Sequence, residues 1–354
     1  MAKATNNPLA NLDLTGLKDI RVQAKTGKAK VKGLAMTEAV EAAPTPKPAP
    51  GTLGMLAALE GEWEGTGFNL IEIPNMNQKP GTTPPADKFR LTLNSTFETM
   101  TINAIKGDII NRGNIQDDVA YRGLHYLQQV TDVVLNEGIH LETGLFLNLP
   151  TGDPKVQVAG RLGSIPHGDS LLAQGSVFEV NGGPFINTEL PTPAGSKGTP
   201  AADPTPFTIE NGKRKNDTSA EYLALLNNAI PPNGIDKAVI MNPNLLLKSA
   251  IEGLNITKTI VILLDANPVD GVSNVASPVG GITNIPFIEK NANATSLTAI
   301  FWIETVQNAD GSTDTLLQYT QTVILDFPVF GTDPTKVVPI KWPHISVATL
   351  KKKK

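Results

Sequence analysis

GEWEGTGFNLIEIP, running from Gly61 to Pro74, marks where a folded domain begins. Glycines at 61, 65 and 67 surround Trp63. A glycine in a strand permits sharp coiling or the close approach of a ligand or another strand, and a tryptophan can plug the end of a closed sheet. The segment lacks the GxGxxG spacing and opens a strand rather than a helix, so it is no phosphate loop. Two readings stand side by side: a barrel-closing motif, or a wall lying against a ligand.

Downstream, strand-like runs recur at Phe89 to Ile105, Val119 to Leu135, Ile139 to Leu149, Val156 to Leu162 and Ser170 to Val180. They resume at Ile256 to Leu264, Leu297 to Val306, Thr315 to Phe327 and Ile345 to Leu350. Most alternate apolar residues with Thr, Ser, Gln or charge, the period-two pattern of a sheet with one buried face. With the first run this makes about ten strands, enough to close an antiparallel β-barrel. The fold class is therefore all-β.

Two helical periodicities interrupt the series. Thr218 to Ala229 has Asp217 or Thr218 as N-cap; Pro243 to Gly253 has Asn242 as cap, Pro243 at the first helical position and Gly253 at the end. Around them, Asn181 to Asp217 and Asn267 to Asn293 are dense in Gly, Pro, Asn and Thr, which predicts long surface insertions spanning 181–293. Residues 1–50 mix basic residues, alanine and the Pro44 to Pro50 run, and read as a disordered tail. A single domain over 51–350 follows, and Lys351 to Lys354 close the chain as a solvated run.

The 354 residues carry a net charge of -4, which gives no general attraction to nucleic acid or anionic membranes. No stretch reaches the ~18 apolar residues of a membrane helix, and the start lacks the apolar core of a secretory signal. A cytoplasmic protein is expected. Lys18 to Lys32 keeps a basic, acid-poor presequence open.

With no cysteine, any metal or heme iron falls to histidine, carboxylate or tyrosine, and the chain has only four histidines: His125, His140, His167 and His344. His344 follows Pro343, which marks a strand start or edge. Alternation puts His344 on one face with Ser346, Ala348 and Leu350, so small side chains flank the imidazole as a flat porphyrin would need; a half-exposed histidine is the plainer reading. His140 shares a face with Glu142, either as an oriented imidazole or as a surface pair. His167 lies in the turn Ile165-Pro166-His167-Gly168-Asp169, at a barrel mouth or merely solvated. His125 reads as structural. No nucleophile elbow, Walker sequence or zinc-spaced pair occurs.

Three of these pieces, taken in order, resemble the nitrobindins, heme-binding β-barrels of the calycin superfamily. GEWEGTG resembles that family's GxWxGxG first strand. His140-Leu141-Glu142-Thr143-Gly144 resembles its His-Ala-Glu-Ser/Thr-Gly segment, and His344 to Val347 its last strand, whose histidine binds iron. Asn111-Arg112-Gly113, Tyr126 to Gln129, Ser164 to Gly168, Asn284 to Phe287, Phe301 to Glu304 and Trp342-Pro343-His344 are similar to a longer bacterial group described as heme-binding. This likeness runs from about Leu53 to Leu350.

The resemblance implies a calycin-type barrel holding heme b, with His344 as the iron ligand and His140 on the opposite heme face. Trp63, Gly65, Gly67 and His167 are further candidate pocket residues. It also implies nitric oxide binding or peroxynitrite isomerisation, in which His140 would be the catalytic side chain. A heme-free calycin module for a lipid or other apolar small molecule is the alternative. Peroxidase-like chemistry in the insertions ranks third, for want of an acid/base dyad. Nitrobindins are about half this length and have no counterpart to the insertions.

Overall fold

The alternation along Val119–Asp132 shows how this sequence makes walls. Leu124, Tyr126, Gln128, Val130 and Asp132 are buried, while His125, Leu127 and Gln129 face solvent. A strand projects successive side chains to opposite faces, so one face becomes lumen and the other outer surface. A computed structural model describes residues 51–74, 89–113, 117–151, 155–189, 208–210, 213–215, 219–266, 280–330 and 337–354. The expected tail over 1–50, the helix caps Asp217 and Thr218, and much of the insertion lie outside the described residues.

The strands are β1 (Gly61–Pro74), β2 (Phe89–Ala104), β3 (Ile109–Asn111), β4 (Val119–Asp132), β5 (Glu137–Leu149), β6 (Gln157–Ile165) and β7 (Asp169–Asn181). They continue as β8 (Thr208–Glu210), β9 (Lys213–Lys215), β10 (Ile256–Ala266), β11 (Gly281–Asn284), β12 (Asn293–Gln307), β13 (Thr313–Phe330) and β14 (Val337–Lys352). Hydrogen bonding runs β10-β12-β13-β14-β1-β2-β4-β5-β6-β7, and β7 returns to β10, closing a ten-stranded antiparallel barrel. Each of the ten expected runs falls on one of these strands. The short β3 and β11 add to β4 and β7, and β8 pairs with β9.

Several boundaries differ from expectation. β14 begins at Val337, so Pro343 is no strand start. Pro343 pairs with Ile324 of β13, whereas pairing to β1 begins only at His344 opposite Ile71. The missing N–H thus falls where β14 has a single partner, the edge situation a proline tolerates. The second helix spans Asn244–Ala250, with Pro243 at its cap, because Asn242 ends a preceding helix, Lys237–Met241, and its Oδ1 accepts from Glu189 N. At the far end β14 takes in Lys351 and Lys352.

One end of the barrel is stoppered by the 3₁₀ helix Gly54–Leu59, which buries Leu56 and Leu59. Trp63 packs beneath it, donating Nε1–H to Leu59 O at 2.8 Å, and Lys352 Nζ lies 5.2 Å from its ring centroid. The helices of the insertion cover the outer wall. Leu226, Val239, Ile240 and Leu247 cluster with the outward-facing Phe68, Leu70, Trp302, Ile345 and Val347. Polar clips fix them: Gln318 Nε2 donates to Leu247 O at 2.9 Å, and Thr320 Oγ1 to Asn244 Oδ1 at 2.5 Å. No described helix is long and apolar enough to cross a membrane.

Candidate functional site

The lumen is layered. Above the apolar floor around Trp63, Met100, Ile102 and Leu124 lies a polar layer centred on Arg161. Arg161 is only 1% exposed, yet each of its three nitrogens is engaged: Nη2 donates to Glu142 Oε1 at 2.9 Å, Nε to the Tyr126 hydroxyl at 3.2 Å and Nη1 to Gln321 Oε1 at 2.7 Å. Its guanidinium also lies 5.2 Å from the Phe301 ring centroid and 5.8 Å from that of Phe146. Tyr126 donates a short hydrogen bond to Glu142 Oε1. Beside this group, Tyr319 donates to Glu98 Oε2 at 2.6 Å and Gln128 Nε2 to Glu98 Oε1 at 2.9 Å.

Burial alone would neutralise such groups. It raises Glu98 to about 7 against the hydrogen bonds of Tyr319 and Gln128. At Glu142 burial is outweighed by the Arg161 charge and by His140 and Tyr126, which hold the carboxyl at about 2. Glycine makes the room. A Cβ on Gly163 would stand 2.4 Å from Glu142 Oε1 and 3.1 Å from the Tyr126 hydroxyl.

Above the polar layer, at the end away from the 3₁₀ stopper, three histidines converge. His140 is on β5, one turn of the ladder from Glu142, and its Nε2 stands 3.5 Å from Glu142 Oε2. His167, in the β6–β7 hairpin, has its ring centroid 6.0 Å from that of His140. His344 faces the lumen from β14, on the same side as Ser346, Ala348 and Leu350. Desolvation, then repulsion from His140 and His167, pushes His344 down to about 3, so its ring is uncharged at neutral pH. Burial raises Asp169 against the pull of His167 and His140.

The ring of His344 is held from the side. Its Nε2 lies 2.5 Å from Asn69 Oδ1, which also accepts from Ser346 Oγ at 3.0 Å. Asn69 was legible as a lumen residue, because it alternates with Gly65 and Gly67 on β1. Arg161 was legible too, between the small residues Ala159 and Gly163. The sequence carried no signal that either would meet a histidine or a glutamate from a distant strand.

Trp63 lies at the other end of the barrel and His125 on its outer face. Trp63 pairs with Lys352 and Ile71 with His344, so eight positions of β1 (71 − 63) separate the tryptophan from the partner of His344. At a strand's rise per residue that is about 26 Å. Gly65 and Gly67 serve strand contact: a Cβ on them would fall 2.1 Å from Thr349 O and 2.3 Å from Val347 O. His125 faces solvent and bonds Thr143 Oγ1 at 3.1 Å.

No cluster of three or more His, Asp or Glu with metal-holding geometry occurs among the described residues. What the mouth offers is one neutral, buried imidazole with small neighbours, faced by two more imidazoles. That donor set suits a group bringing its own equatorial ligands, as a porphyrin does, better than a bare ion. No family model and no curated protein matches the sequence. Among solved structures, the crystal structure of Rv2717c from M. tuberculosis aligns with 87% of this chain and 100% of that one, at 13% identity and a TM-score of 0.35.

Proposed function

We propose that this protein is a small-molecule-binding barrel whose ligand is heme b, held by His344. The observation that carries this reading is the convergence of His344, His140 and His167 on one mouth, with the His344 ring uncharged and therefore able to give a lone pair. Its neighbours on that face, Ser346 and Ala348, are small. The likeness of the three motifs to nitrobindins supports the same choice of ligand.

Bound heme would supply a Lewis-acid iron able to take up nitric oxide or to turn peroxynitrite into nitrate. The chain's own residues supply the setting. Asn69 holds the His344 ring against the wall. Glu142 stands beside His140 Nε2, where its carboxylate accepts the ring N–H and orients the imidazole. The Arg161 layer lies between these histidines and the apolar floor.

Titration with hemin tests the proposal. A Soret band shifted from free hemin is expected, lost in His344→Ala and retained with altered ligand binding in His140→Leu. No shift in the unmodified protein, or an unchanged one in His344→Ala, overturns it. A heme-free module for an apolar metabolite is the second reading, favoured by the exposed Val133, Val134 and Leu135 in the β4–β5 turn and Phe287 in the short helix Pro286–Glu289 at this same end. Extraction of an organic ligand from protein that ignores hemin would decide for it.

A further inference from the structure

The bond between His344 and Asn69 is the last link of a chain crossing four neighbouring strands. It starts at Asp132, the last residue of β4. Its Oδ1 accepts the backbone N–H of Val134 at 2.7 Å and of Leu135 at 2.9 Å, and its Oδ2 lies 2.5 Å from Asn94 Nδ2 on β2. Burial opposes this charge, but Leu135, Asn94 and Val134 outweigh it and keep the carboxyl below its ordinary range. An ionised carboxylate only accepts, so Asn94 must turn its NH₂ toward Asp132 and its oxygen away.

That oxygen accepts from Asn69 Nδ2 on β1 at 3.0 Å. The orientation of Asn69 is thereby set as well. Its Oδ1 faces β14, where it meets His344 Nε2 and Ser346 Oγ. A carbonyl oxygen has no hydrogen to give, so both partners donate; Ser346 Oγ also lies 3.3 Å from His344 Nε2, and with its one hydrogen given to Asn69 it can only accept there. His344 Nε2 therefore carries the proton, and Nδ1, which takes part in none of these bonds, carries the lone pair.

We propose that Asp132, Asn94 and Asn69 form a positioning relay that fixes the His344 ring with its Nε2–H donating to Asn69 and leaves Nδ1 as its ligating atom. Asn69, Asn94 and Asp132 are all buried, in a lumen where apolar side chains would pack without polar desolvation. The relay ends on the one imidazole whose tautomer decides what it can bind. The assignment of Nδ1 to iron rests on the heme reading; the tautomer does not.

The tautomer is read without heme, by long-range nitrogen–proton correlation spectra of the ¹⁵N-labelled protein. The expected result is a protonated Nε2 with an exchange-protected hydrogen, lost in Asn69→Leu and restored in Asn69→Asp, which keeps an acceptor in place. Asp132→Asn removes the obligate acceptor at the far end and is expected to split His344 into two signal sets. A protonated Nδ1 in the unmodified protein, or a His344 spectrum unchanged in both Asn69→Leu and Asp132→Asn, overturns the relay. Hemin affinity should fall about 10- to 100-fold in Asn69→Leu, the usual cost of losing such a partner, and recover in Asn69→Asp. Failure of the unmodified protein to bind hemin would sink the heme reading while the spectra still judged the relay.

Discussion

Arg161 is the residue on which the lumen depends most. It is buried and shares Glu142 Oε1 with Tyr126. Breaking one side of a buried pair strands the other charge, so Arg161→Gln should cost about 3–5 kcal/mol in urea unfolding. Adding Glu142→Gln should return part of that loss, since the stranded carboxylate is then gone. A double variant no more stable than Arg161→Gln would mean that Arg161 acts mainly by packing against Phe146 and Phe301.

Among the elements, β6 supplies its own control. A Cβ on Gly163 would press on Glu142 Oε1 at 2.4 Å, whereas one on Gly160 would meet nothing closer than Leu149 Cδ1 at 3.5 Å. Gly163→Ala should therefore destabilise by about 1–3 kcal/mol and Gly160→Ala hardly at all, as thermal melting would show. At the stoppered end, Trp63→Phe removes the hydrogen bond to Leu59 O. It should cost about 1 kcal/mol or somewhat more. Hemin binding at the opposite mouth should not change.

For the molecule as a whole, buried ionisable groups set the pH range of stability. Glu304 and Glu72 lie buried with no hydrogen-bond partner among the described residues, and burial raises them from 4.5 to about 8 and about 10. The folded state keeps protons that the unfolded chain has released, so their contribution falls as pH rises above 4.5. Glu142 and His344 are displaced the other way, from 4.5 to about 2 and from 6.5 to about 3. Their contribution therefore grows as pH rises, up to 4.5 and 6.5 respectively. Denaturant midpoints should rise from acid to about pH 4.5 and fall above 6.5. Glu304→Gln should flatten the alkaline fall by on the order of 1 kcal/mol per pH unit up to pH 8. An unaltered slope would show that Glu304 is ionised in the folded protein.

By itself the sequence determined the strand count and the faces, because alternation is a local property that closure of the sheet leaves intact. Phe68 and Leu70 were bound to face one way and Gly67 and Asn69 the other, wherever the strand went. Only the tertiary structure decided which inward residues would meet. Pairing carries His140 through Val130 and Glu98 to Gly65, six positions along β1 (71 − 65) from the partner of His344. Strand tilt in a closed barrel makes up that offset, and tilt follows from the summed register of all ten strands, which no single stretch encodes. The same summation put Trp63 at the far end and left Gly65 and Gly67 to let β1 approach β14. It also brought Asp132, two strands from Asn69, into line with His344, where the chemistry of the mouth is set.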